Sequence, residues 1–465
     1  MDENQRNSFT GTLGFVMAAA GSAVGLGNIW RFPFLAARDG GGLFLVCYLL
    51  LVATFGYTLL TTEIALGRGT RQGPLTAPSK VDRRFSWVGV LACLVPVLIL
   101  PYYSVIGGWV LKYLWAFLSG SGTAAAGSKY FTGFITSQWE PIGWFLVFIL
   151  STCFVIYRGV EKGIERYSKV LMPIFFLLIV VVSVYSLTLS YTDSATGVTR
   201  TGWQGFLIYT IPDFQNLTFG KFLSVLMDAM GQLFYSISVA MGIMIAYGSY
   251  AKNKTNLYQA VNHIEFFDTL AAFLAGCMII PAVFTFMGRE GMSAGPALMF
   301  ISLPKVFDAM GGFGVVAGIF FFVMVTFAAL TSNISIMEAI AASFMDRFGW
   351  SRAKATTIIG LYAILGGLIV CLGYNKLYFE LPLPNGAIAQ VLDLADYISN
   401  NIAMPVVAIG ECILIGWVAG PDWVIGEFKK GGFPFGRETM YRLFVKFVTP
   451  ILLFILFLQA FGVFN

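Results

Sequence analysis

A chain that repeats a mostly apolar run of about twenty residues has few ways to fold, because a helix rising about 1.5 Å per residue crosses a bilayer in that length. Eleven such runs fall approximately at 11–37, 42–66, 87–117, 141–158, 167–190, 222–250, 260–286, 312–344, 354–373, 396–420 and 441–463. The chain has 465 residues, 57% hydrophobic and only 11% charged, more apolar surface than a water-soluble core could hide. The expected fold is an all-α, multi-pass membrane protein, and the runs are numbered here as spans 1 to 11. The opening MDENQRNSFTGTL lacks a basic stretch leading into a short apolar segment, so no removable signal peptide is expected.

Charge placement predicts orientation, since Lys and Arg are retained on the cytoplasmic side of short loops. Arg68, Arg71, Lys80, Arg83 and Arg84 follow span 2; Arg158, Lys162, Arg166 and Lys169 follow span 4; Lys252 and Lys254 follow span 6. Arg347, Arg352 and Lys354 follow span 8, and Lys429, Lys430, Arg437 and Arg442 follow span 10. The alternate gaps hold single basic residues such as Arg38, Lys129, Arg289 and Lys376. A cytoplasmic N-terminus and an external C-terminus follow, in the plasma (cytoplasmic, or bacterial inner) membrane. The net charge of +5 is dispersed over these loops, which argues against a nucleic-acid partner.

Other chemistries have little to build on. His263 is the only histidine, and it reads as a solvated loop-end residue. Cys47, Cys93, Cys153, Cys277, Cys371 and Cys412 stand singly in or beside apolar runs and read as packing residues. No enzymatic activity is expected.

Two spans depart from a uniformly apolar pattern: span 1 at AAAGSAVGLGN and span 6 at GQLFYSISVAMG. Glycine costs about 1 kcal/mol relative to alanine inside a helix, and backbone freed from a helix in lipid must find partners in protein, ion or ligand. A break at mid-depth therefore implies a buried polar site, and paired breaks in matching positions of two halves point to a transporter. The competing reading is close helix packing through small residues such as Gly21 and Gly25. A phosphate-binding loop is excluded, because no strand precedes GSAVGLG and no Lys-Ser/Thr closes it.

With GSAVGLGNIWRFP at 21–33, GGG at 40–42 and FAALTSNISIM at 327–337, the chain resembles the neurotransmitter:sodium symporter family, most of all its bacterial amino-acid members. The resemblance implies an inverted five-helix repeat, spans 1 to 5 and 6 to 10, with spans 1 and 6 broken and an eleventh span added. It divides the chain into 1–190, an external loop 191–221, a second repeat 222–420 with external loop 287–311, and 421–465 with a cytoplasmic loop and span 11. It implies sodium-coupled import of an L-amino acid by alternating access, with a small osmolyte or amine as the alternative cargo.

By the same resemblance a first sodium meets Ala23, Asn28, Ser236 and Asp268, all oxygen donors as a hard cation requires. A second sits among Gly21, Val24, Ala328, Thr331 and Ser332; hydroxyls merely bonding back within span 8 are the alternative. The substrate carboxylate would meet the N–H groups of Leu26 and Gly27, at the positive end of a half-helix, and the Tyr103 hydroxyl. Its amine would face the carbonyls of Ala23 and Tyr235. Ser22, Ile99, Tyr235, Ser238, Met241, Ser335 and Ile336 would line the side-chain pocket, with Ser236 and Ser332 at its edge. Gly25 stands where amine-transporting relatives carry an aspartate, which points to a substrate with its own carboxylate. Met241 replaces the Phe of narrow-pocket relatives, so the expected substrates are tryptophan, tyrosine or leucine-like.

Asp268 is a departure, since many relatives have Asn there and chloride-dependent ones a serine at the place of Ala272. A fixed carboxylate supplies the negative charge that chloride supplies elsewhere, so no chloride is expected. The alternative is that Asp268 is a solvated span-end residue near His263 and Glu265. For gating, the resemblance pairs Arg31 with Asp396 above the site, Gln232 neighbouring Arg31, and Arg6 with Asp346 beside Tyr250 below it. Phe9 stands where many relatives have Trp. Gly163 and Pro173 reproduce a Gly-x9-Pro spacing at which span 5 could unwind. No oligomer is predicted.

Overall fold

A computed structural model describes residues 8–193, 197–214, 217–291 and 298–463. Among these residues, nine helices are long and apolar enough to cross a membrane: Gly42–Thr70, Arg83–Leu118, Glu140–Tyr157, Val160–Leu187, Leu257–Gly291, Gly312–Phe348, Arg352–Leu372, Val391–Val418 and Glu438–Ala460. They are spans 2 to 5 and 7 to 11. Span 1 is the bent pair Thr12–Ala23 and Gly27–Arg38, whose halves diverge by 53°. Span 6 is also broken, into Phe219–Ser236 and Ile243–Tyr250. The all-helical architecture with breaks in spans 1 and 6 is thus present.

The breaks have local causes. In span 1 the Gly-Ser-Ala-Val-Gly run lets Val24 turn extended, with φ −75° and ψ 91°, and the chain resumes as a wide turn over Gly27–Arg31. In span 6, Ser238 and Ala240 take left-handed φ values of 55° and 59°, which L residues adopt at a cost, followed by Gly242 at 71°, which does so freely. That strain persists only where neighbours over-determine the backbone, and the Ala240 N–H is held by the buried Glu63 carboxylate of span 2.

Span 1 packs against spans 5, 7 and 8, and the second half of span 6 against spans 2 and 8, so both breaks lie at the centre of the bundle. Two short antiparallel hairpins, Ser190–Thr192 with Thr199–Thr201 and Leu381–Pro382 with Ile388–Ala389, decorate the loops after spans 5 and 9. The basic loops gather on the face that carries the N-terminal segment. There the Phe9 N–H donates to the Tyr250 carbonyl at 3.3 Å, Lys252 reaches the Thr10 carbonyl at 3.4 Å, and Arg71 reaches Asn253 at 2.8 Å.

Candidate functional site: buried oxygen donors between the broken spans

Asp268 decides the character of the centre. It is 0% exposed, against the alternative of a solvated span end, whereas His263, five residues earlier on the same helix, is exposed. Its Oδ1 accepts from Asn28 Nδ2 at 2.8 Å and Ser236 Oγ at 2.7 Å, and its Oδ2 from the Tyr48 hydroxyl at 3.1 Å. Asn28 Nδ2 also donates to Ser236 Oγ at 2.8 Å, while its Oδ1 accepts from the Gly25 N–H at 3.1 Å. The carboxylate on one side and the N–H on the other fix the orientation of that amide.

Every one of these partners is neutral. A fully buried carboxylate with no cationic partner among the described residues is costly unless a cation completes it. Two side-chain oxygens, a hydroxyl and a carboxylate clustered at a helix break suit a hard monovalent cation by the chemistry of their donors.

The second expected cation position lies where span 1 meets span 8. Ser332 Oγ donates to the Ser22 carbonyl at 3.0 Å, crossing between the spans. Thr331 Oγ1 instead bonds back to Phe327 and Ala328 carbonyls at 2.9 and 3.1 Å, the alternative considered for it. A Cβ on Gly21 would stand 3.5 Å from Thr331 Cβ, so the break and the span 8 hydroxyls are in contact.

Between the two positions lies a small cavity lined by Ser22, Ala23, Gly25, Leu26, Gly27, Ile99, Tyr103, Tyr235, Ser236, Ser238, Met241, Ser332 and Ile336, among others. The Leu26 N–H points to the Tyr103 hydroxyl at 3.4 Å. A Cβ on Gly25 would come within 2.9 Å of Ser332 Oγ and 3.2 Å of the Tyr103 hydroxyl, and one on Gly27 within 2.7 Å of the Tyr235 ring. A side chain at Gly27 would displace the Tyr235 ring, and one at Gly25 would need the Ser332 hydroxyl to turn away. Ser335, also expected at the side-chain pocket, bonds to the Tyr247 hydroxyl at 2.7 Å and is not among the residues lining this cavity. Ile243, which the sequence did not single out, lines the cavity in its stead.

Above the cavity a vestibule of about 520 Å³ holds Arg31, Tyr102, Trp109, Tyr235 and Asp396. Arg31 and Asp396, the expected gate pair, both face this vestibule without a direct ion pair between them. Asp396 accepts from Tyr102 at 3.1 Å and Asn400 at 2.5 Å, and the Arg31 guanidinium carbon lies 5.8 Å from the Tyr235 ring centre. Gln232 Nε2 donates to the Gly27 carbonyl at 3.1 Å, tying span 6 to the break in span 1.

Below the cavity Phe9 packs edge-on to Phe15, Tyr247 and Tyr250, with ring centres 5.6 to 6.3 Å apart. Arg6 lies outside the described residues, so its pairing with Asp346 is not described. Asp346 accepts from the Gly73 N–H at 2.5 Å, and the Tyr250 hydroxyl donates to Glu338 at 2.6 Å. Glu338 is in turn clamped by both terminal nitrogens of Arg352 at 2.7 and 2.9 Å. Gly163 lies in a wound, π-helical turn, Val160–Glu165, and Pro173 inside the helix that follows it.

Sequence reasoning missed Glu63 and Glu411. Both are fully buried, and Glu63 holds the unwound part of span 6, while Glu63 Oε2 and both Glu411 oxygens have no hydrogen-bond partner among the described residues. The available signal was the presence of carboxylates deep inside apolar spans, which is rare without a role.

Two broken helices facing each other around buried oxygen donors, open to a vestibule on one side and packed with aromatic rings on the other, define a secondary transporter. Residues 6–132 and 134–465 match the Sodium:neurotransmitter symporter family, and the chain belongs to that family. It is a sodium-dependent membrane symporter and not an enzyme. It is 34% identical to an uncharacterized sodium-dependent transporter, YhdH, of Bacillus subtilis, over 100% of this chain and 99% of that one. The human sodium- and chloride-dependent GABA transporter 2 is 27% identical, over 90% of this chain and 73% of that one. The crystal structure of MhsT in complex with L-phenylalanine superposes with a TM-score of 0.85 at 32% identity, covering 98% of this chain and 100% of that one.

Proposed function

We propose that the protein imports a hydrophobic or aromatic L-amino acid together with sodium, without needing chloride. The observation that carries this reading is Asp268, a buried carboxylate whose partners are all neutral, directly behind a cavity where Gly25 supplies no second acid. Asp268, Asn28, Ser236 and the Ala23 carbonyl hold one sodium, and the Asp268 charge takes the place of chloride. Thr331, Ser332 and the carbonyls of Gly21, Val24 and Ala328 hold a second sodium, whose arrival draws the Thr331 hydroxyl out of its bonds within the helix.

The substrate brings its own carboxylate to Leu26 N–H, Gly27 N–H and the Tyr103 hydroxyl, and its side chain lies against Ile99, Met241 and Ile336. That MhsT is seen with L-phenylalanine supports an aromatic cargo. Met241 is unbranched and adaptable, so it can yield space in this small cavity for tryptophan, tyrosine or leucine as well.

The basic loops put the N-terminal face in the cytoplasm and the vestibule outside. The two five-span units, 1–190 and 222–420, then rock about the broken helices, and sodium flowing inward drives uptake because cargo and ion share one site. Sodium-gradient-driven uptake in proteoliposomes, screened across the twenty amino acids with chloride or gluconate as the anion, tests this. Large apolar substrates should win and gluconate should leave the rate unchanged. Tighter binding of glycine, or arrest without chloride, overturns the corresponding half of the proposal.

A further inference from the structure

Away from the central site, a crevice of about 500 Å³ runs between spans 2 and 7 and is closed at one end by Arg437. Asn262, Glu265 and Thr269 line it at i, i+3 and i+7, one stripe of span 7. Glu265 is only 5% exposed; its Oε2 accepts from Arg437 Nη1 at 3.2 Å, and its Oε1 has no partner among the described residues. Asn262 Oδ1 and Thr269 Oγ1 are likewise buried without partners among the described residues. Arg437 Nη1 also donates to the Ala53 carbonyl at 3.2 Å, its guanidinium lies 4.4 Å from the Tyr57 ring centre, and its other nitrogens make no bond among the described residues.

The polar end and the apolar end of the crevice are separated along the membrane normal. Arg437 lies in the segment just before span 11, on the N-terminal face. Leu270 and Phe273 lie deeper, Phe273 about 12 Å beyond Glu265 at the helical rise. Leu49 and Phe266 on its rim are 52% and 58% exposed and face the hydrocarbon.

Two neighbouring buried acceptors call for a donor with several N–H groups, the guanidinium beside them for an anion, and the apolar end for a chain. We propose that this crevice binds an aminophospholipid from the adjoining leaflet. Its phosphate meets Arg437, its primary ammonium donates to Glu265 Oε1 and Asn262 Oδ1, and one acyl chain lies over Leu49, Val52, Phe266 and Leu270. A choline headgroup has no N–H to donate, and a glycerol headgroup sets uncompensated negative charge beside Glu265. Tyr48 forms part of the crevice wall and also donates to Asp268, so the bound lipid steadies the sodium site from behind.

Native mass spectrometry of the purified protein, exchanged into phosphatidylcholine nanodiscs containing phosphatidylethanolamine or phosphatidylglycerol, tests this without reference to transport. One phosphatidylethanolamine should be retained per chain, preferred about tenfold over phosphatidylcholine, the size expected for losing a buried hydrogen-bonded donor. Leu49→Trp, which fills the crevice, and Asn262→Leu, which removes an acceptor, should each abolish the preference. Equal retention of the two zwitterionic lipids, a preference for phosphatidylglycerol, or no retained lipid each overturns the proposal.

Discussion

Replacing Asp268 by Asn separates its electrostatic role from its structural one. The hydrogen bonds survive the change: the introduced amide can keep its oxygen toward Asn28 and Ser236, and its nitrogen can donate to the Tyr48 hydroxyl, which rotates to accept. The structural loss is then the difference between charge-assisted and neutral hydrogen bonds, about 1 kcal/mol each for the two bonds that keep their sense. The loss to a sodium ion is larger, since a unit charge at about 4 Å in an effective dielectric near 20 contributes roughly 4 kcal/mol. That corresponds to about three orders of magnitude in affinity at about 1.4 kcal/mol per tenfold. Binding of labelled phenylalanine, titrated with sodium in gluconate, measures it directly. Half-saturating sodium should rise at least about tenfold even if water screens much of the interaction. Adding Ala272→Ser should restore affinity in chloride but not in gluconate. A D268N protein that keeps its sodium dependence within about twofold in gluconate refutes the assignment.

Ser332→Ala removes the bond to the Ser22 carbonyl and one proposed sodium oxygen, so the unfolding midpoint in sodium should fall toward that in potassium, by thermal-shift measurement. Met241→Phe should shift competition from tryptophan toward alanine and glycine, and an unchanged inhibition ranking would count against its role in selectivity. Glu63→Leu leaves the buried Ala240 N–H without an acceptor, costing about 1–3 kcal/mol, whereas Glu63→Gln keeps one; chemical denaturation should rank Leu well below Gln. Gly27→Ala drives a methyl into the Tyr235 ring and should abolish substrate binding while leaving the protein folded in detergent, as read by size-exclusion chromatography.

Much of this protein is legible in one dimension because its signals are local. Apolar runs of bilayer length, the Gly-rich interruption of span 1 and the polar interruption of span 6 each lie within a few turns of chain, and the structure places a helix or a break at each. In span 6 the helix stops at Ser236 and restarts at Ile243, inside the GQLFYSISVAMG run where the interruption is expected. Ser335 is placed at the pocket by resemblance alone, and its bond to Tyr247 is a contact between spans 6 and 8 that helix periodicity does not specify.

The sequence by itself determined the class of fold, the two breaks and the oxygen-bearing residues around them, since helix length, glycine placement and residue chemistry are properties of short segments. Only the tertiary structure decided that Asp268 is dry, that Tyr48 completes its hydrogen bonds, and that Asp396 accepts from Tyr102 and Asn400. Burial and pairing arise when distant helices pack, and a helix's periodicity does not say which neighbour covers which face.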